Sequence, residues 1–308
     1  MQSPDSPLEL SPPKRIVAAN NTLGEGPLWH PQTNRLYWGD IIRQEIHSCD
    51  ADGDNHRIIS IAGMPGSLHL TSRIDQLLVT TPAGLLLVNT ETRQQPRLGA
   101  PVELAQGIRY NDGKTDACGR IWAGTMALSG DTPSGALYRI EKNCTENVWT
   151  AASVREPLTI PNGLAWNRDN TIFYHIDTPT RQLLAFAFDS DTGALGDARV
   201  ALSFENMEGS PDGMAIDNED KLWIAFWGGG QVCRFNPDSG EMLCRVKVPA
   251  PHVTSCCFGG ADLSELFITS ARQDLSKDQL TQYPESGNLF RITPGVNGRP
   301  EPRVHSQE

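Results

Sequence analysis

Three short stretches of the sequence place an oxygen-bearing side chain directly before a glycine and an apolar run. They are Glu25 in LGEGPLW, Asn162 in IPNGLAW and Asp212 in SPDGMAI. A single such pair would indicate only a turn, because Asp-Gly and Asn-Gly are common turn signals. Carboxylate and amide oxygens are also the ligands that hard divalent cations prefer. If the fold brings the three together, with Asn111 as a candidate fourth ligand, they can hold such an ion.

The segments that follow these residues form a repeat that would bring them together. Each copy has a polar residue, an apolar alternating strand, a polar turn and a second apolar strand. Copies of differing clarity start at residues 25, 67, 111, 162, 212 and 255, at steps of 42 to 51 residues. A period of about 40 to 50 residues with several short strands per unit is typical of a β-propeller, in which each unit is a four-stranded blade. The sequence therefore predicts an all-β, six-bladed propeller.

The ends of the chain fit the same architecture. The segment KRIVAAN lies before the first repeat and is predicted to add the outermost strand to the last blade, which closes the ring and removes exposed sheet edges. We expect a flexible N-terminal tail at residues 1–14, a single propeller domain at 15–295 and a C-terminal tail at 296–308. A helix-rich α/β fold is disfavoured because no segment of 12 or more residues has a convincing helical period.

In a propeller the residue before the first strand of each blade lies at the mouth of the central channel. Polar residues from distant blades can therefore meet there in a ring. For Ser67 and Ser255 a strand-capping role is the favoured interpretation. Asp40 and Asp177 end second strands in equivalent positions, which favours a repeated turn role over catalysis. His69 and His252 could reach the channel mouth or its rim, but a structural role is favoured for both.

Composition limits the classes of partner. A net charge of -11 and a pI near 5.1 argue against nucleic-acid binding and against adsorption to an anionic membrane. Small molecules or cations are the expected partners, and no obligate protein partner is evident. The first dozen residues do not resemble a secretory signal and no stretch has 18 consecutive apolar residues, so a cytoplasmic protein is expected. The 7 cysteines are scattered without a CxxC, which indicates reduced thiols.

Five segments, in order and in spacing, carry a resemblance to a known family. They are LGEGPLWHPQTNRLYWGDI, IRYNDGKTDACGRIWAGTM, IPNGLAWNRDNTIFYHID, GSPDGMAIDNEDKLWIAFW and VTSCCFGGADLSELFITSAR. From about residue 16 to 293 the chain resembles the regucalcin (senescence marker protein), gluconolactonase and sugar-lactonase family of six-bladed propellers.

The resemblance implies a role for each site residue. Glu25, Asn162 and Asp212 match the metal ligands, and Asp212 also matches the catalytic acid/base. Arg109 and Asn111 match residues that contact the sugar lactone. Ser129 stands where the animal regucalcins carry a substrate-facing carboxylate, so substrate preference is expected to differ.

These features together predict a metal-dependent sugar lactonase, a carboxylic ester hydrolase. One divalent cation, Ca²⁺, Zn²⁺, Mg²⁺ or Mn²⁺, is expected to activate a water that opens an aldonolactone such as glucono-, xylono- or arabinono-lactone to the aldonic acid. Asp212 would position this water and relay its proton, and Arg109 would orient sugar oxygens. Two alternatives are a non-enzymatic calcium-binding regulatory propeller and a propeller hydrolase of other esters or phosphotriesters, which an apolar channel rim would favour.

Overall fold

The computed structural model describes residues 7–143 and 145–305. Regular structure in these ranges is almost entirely β-strand, and the prediction of an all-β fold is confirmed. The exceptions are one short helix, α1 (Lys277–Gln282), and a 3₁₀ turn at Thr178–Thr180. Neither is long and apolar enough to cross a bilayer, and the same holds for any helix in the described ranges.

Two short strands, β1 (Leu8–Glu9) and β2 (Lys14–Val17), precede four antiparallel sheets of four strands each. The first sheet contains β3 (Gly24–His30), β4 (Arg35–Asp40), β5 (Glu45–Asp50) and β6 (Arg57–Ser60). The second contains β7 (Leu68–Leu70), β8 (Gln76–Thr81), β9 (Gly84–Asn89) and β10 (Arg97–Gly99). The third contains β11 (Ile108–Thr115), β12 (Ile121–Ala127), β13 (Gly135–Asn143) and β14 (Val148–Leu158). The fourth contains β15 (Pro161–Trp166), β16 (Ile172–Asp177), β17 (Gln182–Asp189) and β18 (Ala194–Ser203).

The remaining strands form one nine-stranded sheet with β1 and β2. They are β19 (Ser210–Ile216), β20 (Leu222–Trp227), β21 (Gln231–Phe235), β22 (Met242–Lys247), β23 (His252–Gly259), β24 (Glu265–Ala271) and β25 (Leu289–Ile292). Strands β19–β22 and β23–β25 form two antiparallel runs that a single residue pair, Trp227 with His252, connects. Strand β1 lies parallel to β22, and β2 lies antiparallel to β25, so an N-terminal strand pairs with the last strand of the chain.

Apolar side chains pack between neighbouring sheets. One core cluster joins Tyr174 and Leu183 of the fourth sheet to Met214 and Ile224 of the next. Another joins Tyr37 of the first sheet to the second. Each sheet therefore buries its faces against its neighbours, which fixes the position of every first strand relative to the next.

Two buried aspartates tie down the segments that lead into first strands. The carboxylate of Asp40 accepts hydrogen bonds from the backbone N–H groups of Thr22 and Leu23, at 2.7 and 3.2 Å. The carboxylate of Asp177 accepts from the N–H of Ile160 at 2.7 Å. Because buried N–H groups need acceptors, these carboxylates hold the approach to β3 and β15. The predicted turn role is confirmed for Asp40, which also accepts from the N–H of Arg43 at 3.1 Å, whereas the side chain of Asp177 makes no bond to the 3₁₀ turn that follows it.

Candidate functional site

A β-bulge interrupts the first strand at each predicted metal-ligand position. The pairing of β3 with β4 shifts after Glu25, and that of β15 with β16 shifts after Asn162. The pairing of β19 with β20 shifts between Pro211 and Met214, which flank Asp212. A bulge adds an unpaired residue to one strand and re-aims the side chains beside it. The bulges therefore take these three polar side chains out of regular strand alternation.

The glycines after Asn162 and Asp212 are required by the close approach of adjacent first strands. A Cβ on Gly163 would lie 2.9 Å from the carbonyl oxygen of Asp212, and a Cβ on Gly213 would overlap Oγ of Ser255. Both contacts are closer than real Cβ atoms approach. The Asn-Gly and Asp-Gly pairs are therefore packing features of converging strands and not simple turn signals.

The structure brings every predicted site residue to one cavity of about 460 Å³. The six predicted residues among those that line it are Glu25, Arg109, Asn111, Ser129, Asn162 and Asp212. Four of them are at most 8% exposed, namely Arg109, Asn111, Asn162 and Asp212. Glu25 is partly buried and Ser129 is exposed at the rim. The residues thus share a site, although the sequence separates the outermost two by 187 positions.

A chain of hydrogen bonds fixes the amide side chains of the site. Nη1 of Arg109 donates to Oδ1 of Asn111 at 2.7 Å. Nδ2 of Asn111 donates to Oδ1 of Asn162 at 3.0 Å. Nδ2 of Asn162 donates to Oγ1 of Thr178 at 2.8 Å, and Thr178 donates to the carbonyl oxygen of Pro211 at 2.8 Å. The orientation of Asn162 is set from both sides, which leaves its Oδ1 as the oxygen available for a cation.

The two carboxylates of the site repel each other in a buried setting. Burial and the charge of Asp112 raise the pKa of Glu25 to about 8. Burial, then the charges of Glu25 and Asp112, raise the pKa of Asp212 well above its usual range. Burial lowers the pKa of Arg109 to about 10, so it stays cationic at neutral pH, and the carboxylates of Glu25 and Asp212 favour its charge. The single positive charge of Arg109 therefore cannot neutralise the charges of both carboxylates.

Ser129 lies at the rim and already has an acidic neighbour. Its Oγ donates to Oδ1 of Asp131 at 2.6 Å, and both side chains are exposed. Asp131 was not singled out in the sequence, although it lies only two residues beyond Ser129. A carboxylate is therefore held one hydrogen bond away from Ser129 at the rim of the cavity.

The cavity rim also contains apolar residues that the sequence did not indicate. They are Leu23, Met126, Leu128, Ile160 and Trp227. Trp227 stacks on His252, with ring centroids 4.0 Å apart. His252 thus supports the rim, whereas His69 is a buried structural residue with both ring nitrogens bonded, to Ser67 and Thr115. The structural interpretation of His69 is confirmed.

A second group of potential ligands lies in the first sheet. Among the residues the structure describes, Asp40, Glu45 and His47 are the group of three whose ligand atoms lie within 4.8 Å of one another. Nδ2 of Asn21 donates to Oδ2 of Asp40 at 3.2 Å and lies 3.1 Å from Nε2 of His47. Nε2 of His47 also lies 3.2 Å from Oε2 of Glu45. The group is close enough to bind a metal, but hydrogen bonds already engage its ligand atoms.

Comparison with known families and proteins gives a consistent result. The model of a family described as "SMP-30/Gluconolactonase/LRE-like region" matches residues 23–272. The chain is 32% identical over 268 residues to YvrE of Bacillus subtilis, which is named as a sugar lactone lactonase, and the match covers 87% of this chain and 90% of that protein. It is 34% identical over 296 residues to regucalcin of Danio rerio, with 92% and 95% of the two chains covered.

A solved structure agrees with the sequence relatives. Regucalcin of Agrobacterium tumefaciens, described as a calcium-binding protein, superposes with a TM-score of 0.90 at 29% identity. The match covers 97% of this chain and 99% of that one. Relatives with lactonase names favour a hydrolase, and the site residues lie within the matched range.

Proposed function

The chain belongs to the SMP-30/gluconolactonase/LRE-like family, and from this premise we propose that it is a divalent-metal-dependent lactonase. Its substrate is a sugar lactone, an aldonolactone such as glucono-, xylono- or arabinono-lactone, and its product is the aldonic acid. One observation carries the proposal: Glu25, Asp212 and the fixed amide of Asn162 share a cavity with the cationic Arg109.

The proposal includes a six-bladed propeller. The four separate sheets supply four blades, and the two antiparallel runs of the nine-stranded sheet supply the fifth and sixth. The pairing of β2 with β25 supports closure of the ring by the N-terminal strand. In this arrangement the six first strands surround one channel, and the cavity lies at its mouth.

The donor set fits a hard divalent cation. Glu25, Asp212 and Asn162 offer oxygen atoms, which suit Ca²⁺, Mg²⁺ or Mn²⁺ and are also compatible with Zn²⁺. The pKa values of both carboxylates are raised by burial and by the charges of neighbouring carboxylates, as expected for a site without its counter-charge. A bound divalent cation supplies two effects there: it polarises the lactone carbonyl and lowers the pKa of water.

The residues of the chain would then act as follows. Nη1 of Arg109 bonds Asn111 and the carbonyl oxygen of Tyr110, while its Nε and Nη2 have no partner within the described ranges. These free donors would orient sugar hydroxyls or the ring oxygen. Asp212 would accept the proton of the attacking water and return it to the ring oxygen as the carbon–oxygen bond of the lactone breaks. The proton balance closes within the site.

A second candidate follows from the rim. Leu23, Leu128 and Trp227 present apolar surface to the cavity, which favours a substrate with an apolar substituent, such as an acyl lactone or another ester. A third, a calcium-binding propeller without enzymatic activity, uses the same oxygen ligands but gives no use to the free donors of Arg109.

A substrate panel separates these candidates. Purified protein with a divalent cation is assayed against glucono-, galactono-, xylono- and arabinono-lactones, an N-acyl lactone and a phosphotriester. The proposal predicts the highest kcat/KM for one of the aldonolactones. Preference for the N-acyl lactone or the phosphotriester would support the second candidate, and cation binding without any hydrolysis would support the third.

A further inference from the structure

The C-terminal residues contact the ends of first strands that lie away from the predicted cation ligands. The carbonyl oxygen of Asn297 accepts from the N–H of Asn218 at 2.9 Å, and Nη2 of Arg299 donates to the carbonyl oxygen of Trp166 at 2.7 Å. The N–H of Val304 donates to the carbonyl oxygen of Leu70 at 2.8 Å. The segment 296–305 thus contacts the nine-stranded sheet, the fourth sheet and the second sheet in turn. These contacts fix where each of its side chains lies.

One side chain of this segment reaches a lysine on a first strand. Oε1 of Glu301 lies 3.1 Å from Nζ of Lys114, and the two side chains are only 25% and 17% exposed. Lys114 lies on β11, three residues beyond Asn111 of the site. The C-terminal segment therefore places a negative charge beside β11, the strand that also carries Asn111 of the cavity.

Asp112 lies in β11 between Asn111 of the site and Lys114 of this ion pair. Its Oδ1 accepts from the N–H of Gly113 at 2.7 Å, and its buried Oδ2 has no partner among the described residues. It borders a small cavity of about 30 Å³ together with Lys114 and Glu301. Burial raises the pKa of Asp112 to about 6, the charge of Lys114 favours its ionised form, and its own charge raises the pKa of both Glu25 and Asp212.

The charges alternate along this line. Glu301 is negative, Lys114 positive, Asp112 negative, and the cation ligands follow. Four carboxylates and two basic side chains interact here, namely Glu25, Asp112, Asp212 and Glu301 with Arg109 and Lys114. Their formal charges leave an excess of two negative charges, which one divalent metal ion would neutralise. In a medium of low dielectric constant, each of these charges affects its neighbours over several ångströms.

We propose that the charges of Asp112, Lys114 and Glu301 form an electrostatic network next to the cavity. This network sets the affinity of the site for a divalent cation. Asp112 adds negative potential at the ligands, Lys114 reduces that potential, and Glu301 offsets Lys114. None of the three is among the residues that line the cavity of the predicted cation ligands. The inference rests on the cation site of the proposed function, but it concerns affinity and not the reaction.

The test removes one charge at a time with little change in shape. Asp112→Asn, Lys114→Met and Glu301→Gln are titrated with MnCl₂ alone by calorimetry at pH 8. We expect Kd to rise about tenfold in Asp112→Asn and a few-fold in Glu301→Gln, and to fall a few-fold in Lys114→Met. Glu285→Gln, which breaks the exposed ion pair with Arg15, is the matched control and should leave Kd unchanged.

The opposite signs separate electrostatic tuning from a structural role. If the electrostatic network only supports the fold, all three variants will lower the melting temperature of the metal-free protein and shift Kd in one direction or not at all. That result overturns this inference and leaves the proposed function standing. If the wild-type protein binds no Mn²⁺, the cation site of the proposed function fails as well. A lower Kd for Mn²⁺ in Lys114→Met together with a higher Kd in Asp112→Asn supports the electrostatic network.

Discussion

Asn111 and Asn162 are 51 residues apart in the sequence, yet the side-chain amide of one donates to the side-chain oxygen of the other at 3.0 Å. This contact links a predicted substrate residue to a predicted metal ligand. Since Thr178 bonds the other end of the Asn162 amide, neither residue can rotate without breaking a buried hydrogen bond. Substrate positioning and cation binding are therefore expected to be coupled through Asn162.

Thr178→Val tests the support of Asn162. Valine keeps the shape of threonine but cannot accept the hydrogen bond from Nδ2 of Asn162. We expect the Kd for Mn²⁺ to rise by about threefold to tenfold, because the loss of one hydrogen bond costs about 0.5 to 1.5 kcal/mol. Calorimetric titration measures this. Thr150→Val on the exposed edge of β14 is the control, and an equal effect in both variants would contradict a specific role for Thr178.

Ser129→Glu adds a carboxylate at the rim of the cavity. The glutamate would accept hydrogen bonds from substrate hydroxyls but would also be repelled by Asp131, to which Ser129 now donates. We expect the ranking of sugar lactones by kcat/KM to change by up to a few kcal/mol of transition-state binding, or about 10-fold to 100-fold. Ser134→Glu adds the same charge to the same loop outside the cavity. An unchanged ranking in Ser129→Glu would show that position 129 does not face the substrate.

Asp212→Asn separates a catalytic role from a purely structural one. The amide keeps the shape and can still accept a hydrogen bond from the N–H of Gly213. It carries no charge and cannot exchange a proton, so we expect kcat to fall by about 10² to 10⁴ and cation binding to weaken. The exposed Asp169→Asn in the turn between β15 and β16 should be silent. Wild-type turnover by Asp212→Asn would remove the residue from the mechanism.

His69, which lies outside the cavity, is expected to make the free energy of unfolding depend on pH. Burial lowers its pKa to about 3, whereas a histidine in the unfolded chain titrates near 6.5. The folded pKa is depressed, so the contribution of His69 is fully present above pH 6.5 and is lost as the pH falls towards 3. His69→Gln should reduce the loss of unfolding free energy between pH 7 and 5 by about 2 kcal/mol.

Urea unfolding at the two pH values measures this difference. The exposed His305→Gln is the control and should keep the wild-type pH dependence. The same dependence in His69→Gln as in the wild type would mean that His69 is not held neutral by the fold.

The meeting of three oxygen-bearing side chains could be predicted from the sequence, because residue type and repeat period carry that information together. Glu25, Asn162 and Asp212 stand at equivalent places in separate repeats, and the structure brings them to one cavity. The bulges that re-aim these side chains could not be predicted, because a bulge depends on the pairing of two strands and not on one segment.

Other site features depend on contacts across the whole chain. Glu301 meets Lys114 from 187 positions away, and nothing in the C-terminal sequence signals that path. Asp112 is the middle residue of the NDG stretch at 111–113, but the sequence cannot show that its side-chain oxygen is buried without a partner. The apolar rim of Leu23, Leu128 and Trp227 comes from loops and strand ends of different sheets, where no periodic pattern operates.

The rate of aldonolactone hydrolysis before and after removal of divalent cations decides whether hydrolysis depends on a metal ion. Proton release is followed with chelated protein, and again after addition of Ca²⁺, Mn²⁺ or Zn²⁺, while circular dichroism reports the fold. We expect chelation to abolish hydrolysis and to leave the β-sheet spectrum largely intact. More than one ion should restore hydrolysis, because an all-oxygen site selects by size and rigidity more than by ligand type. Undiminished hydrolysis by exhaustively chelated protein would contradict this dependence on a metal ion.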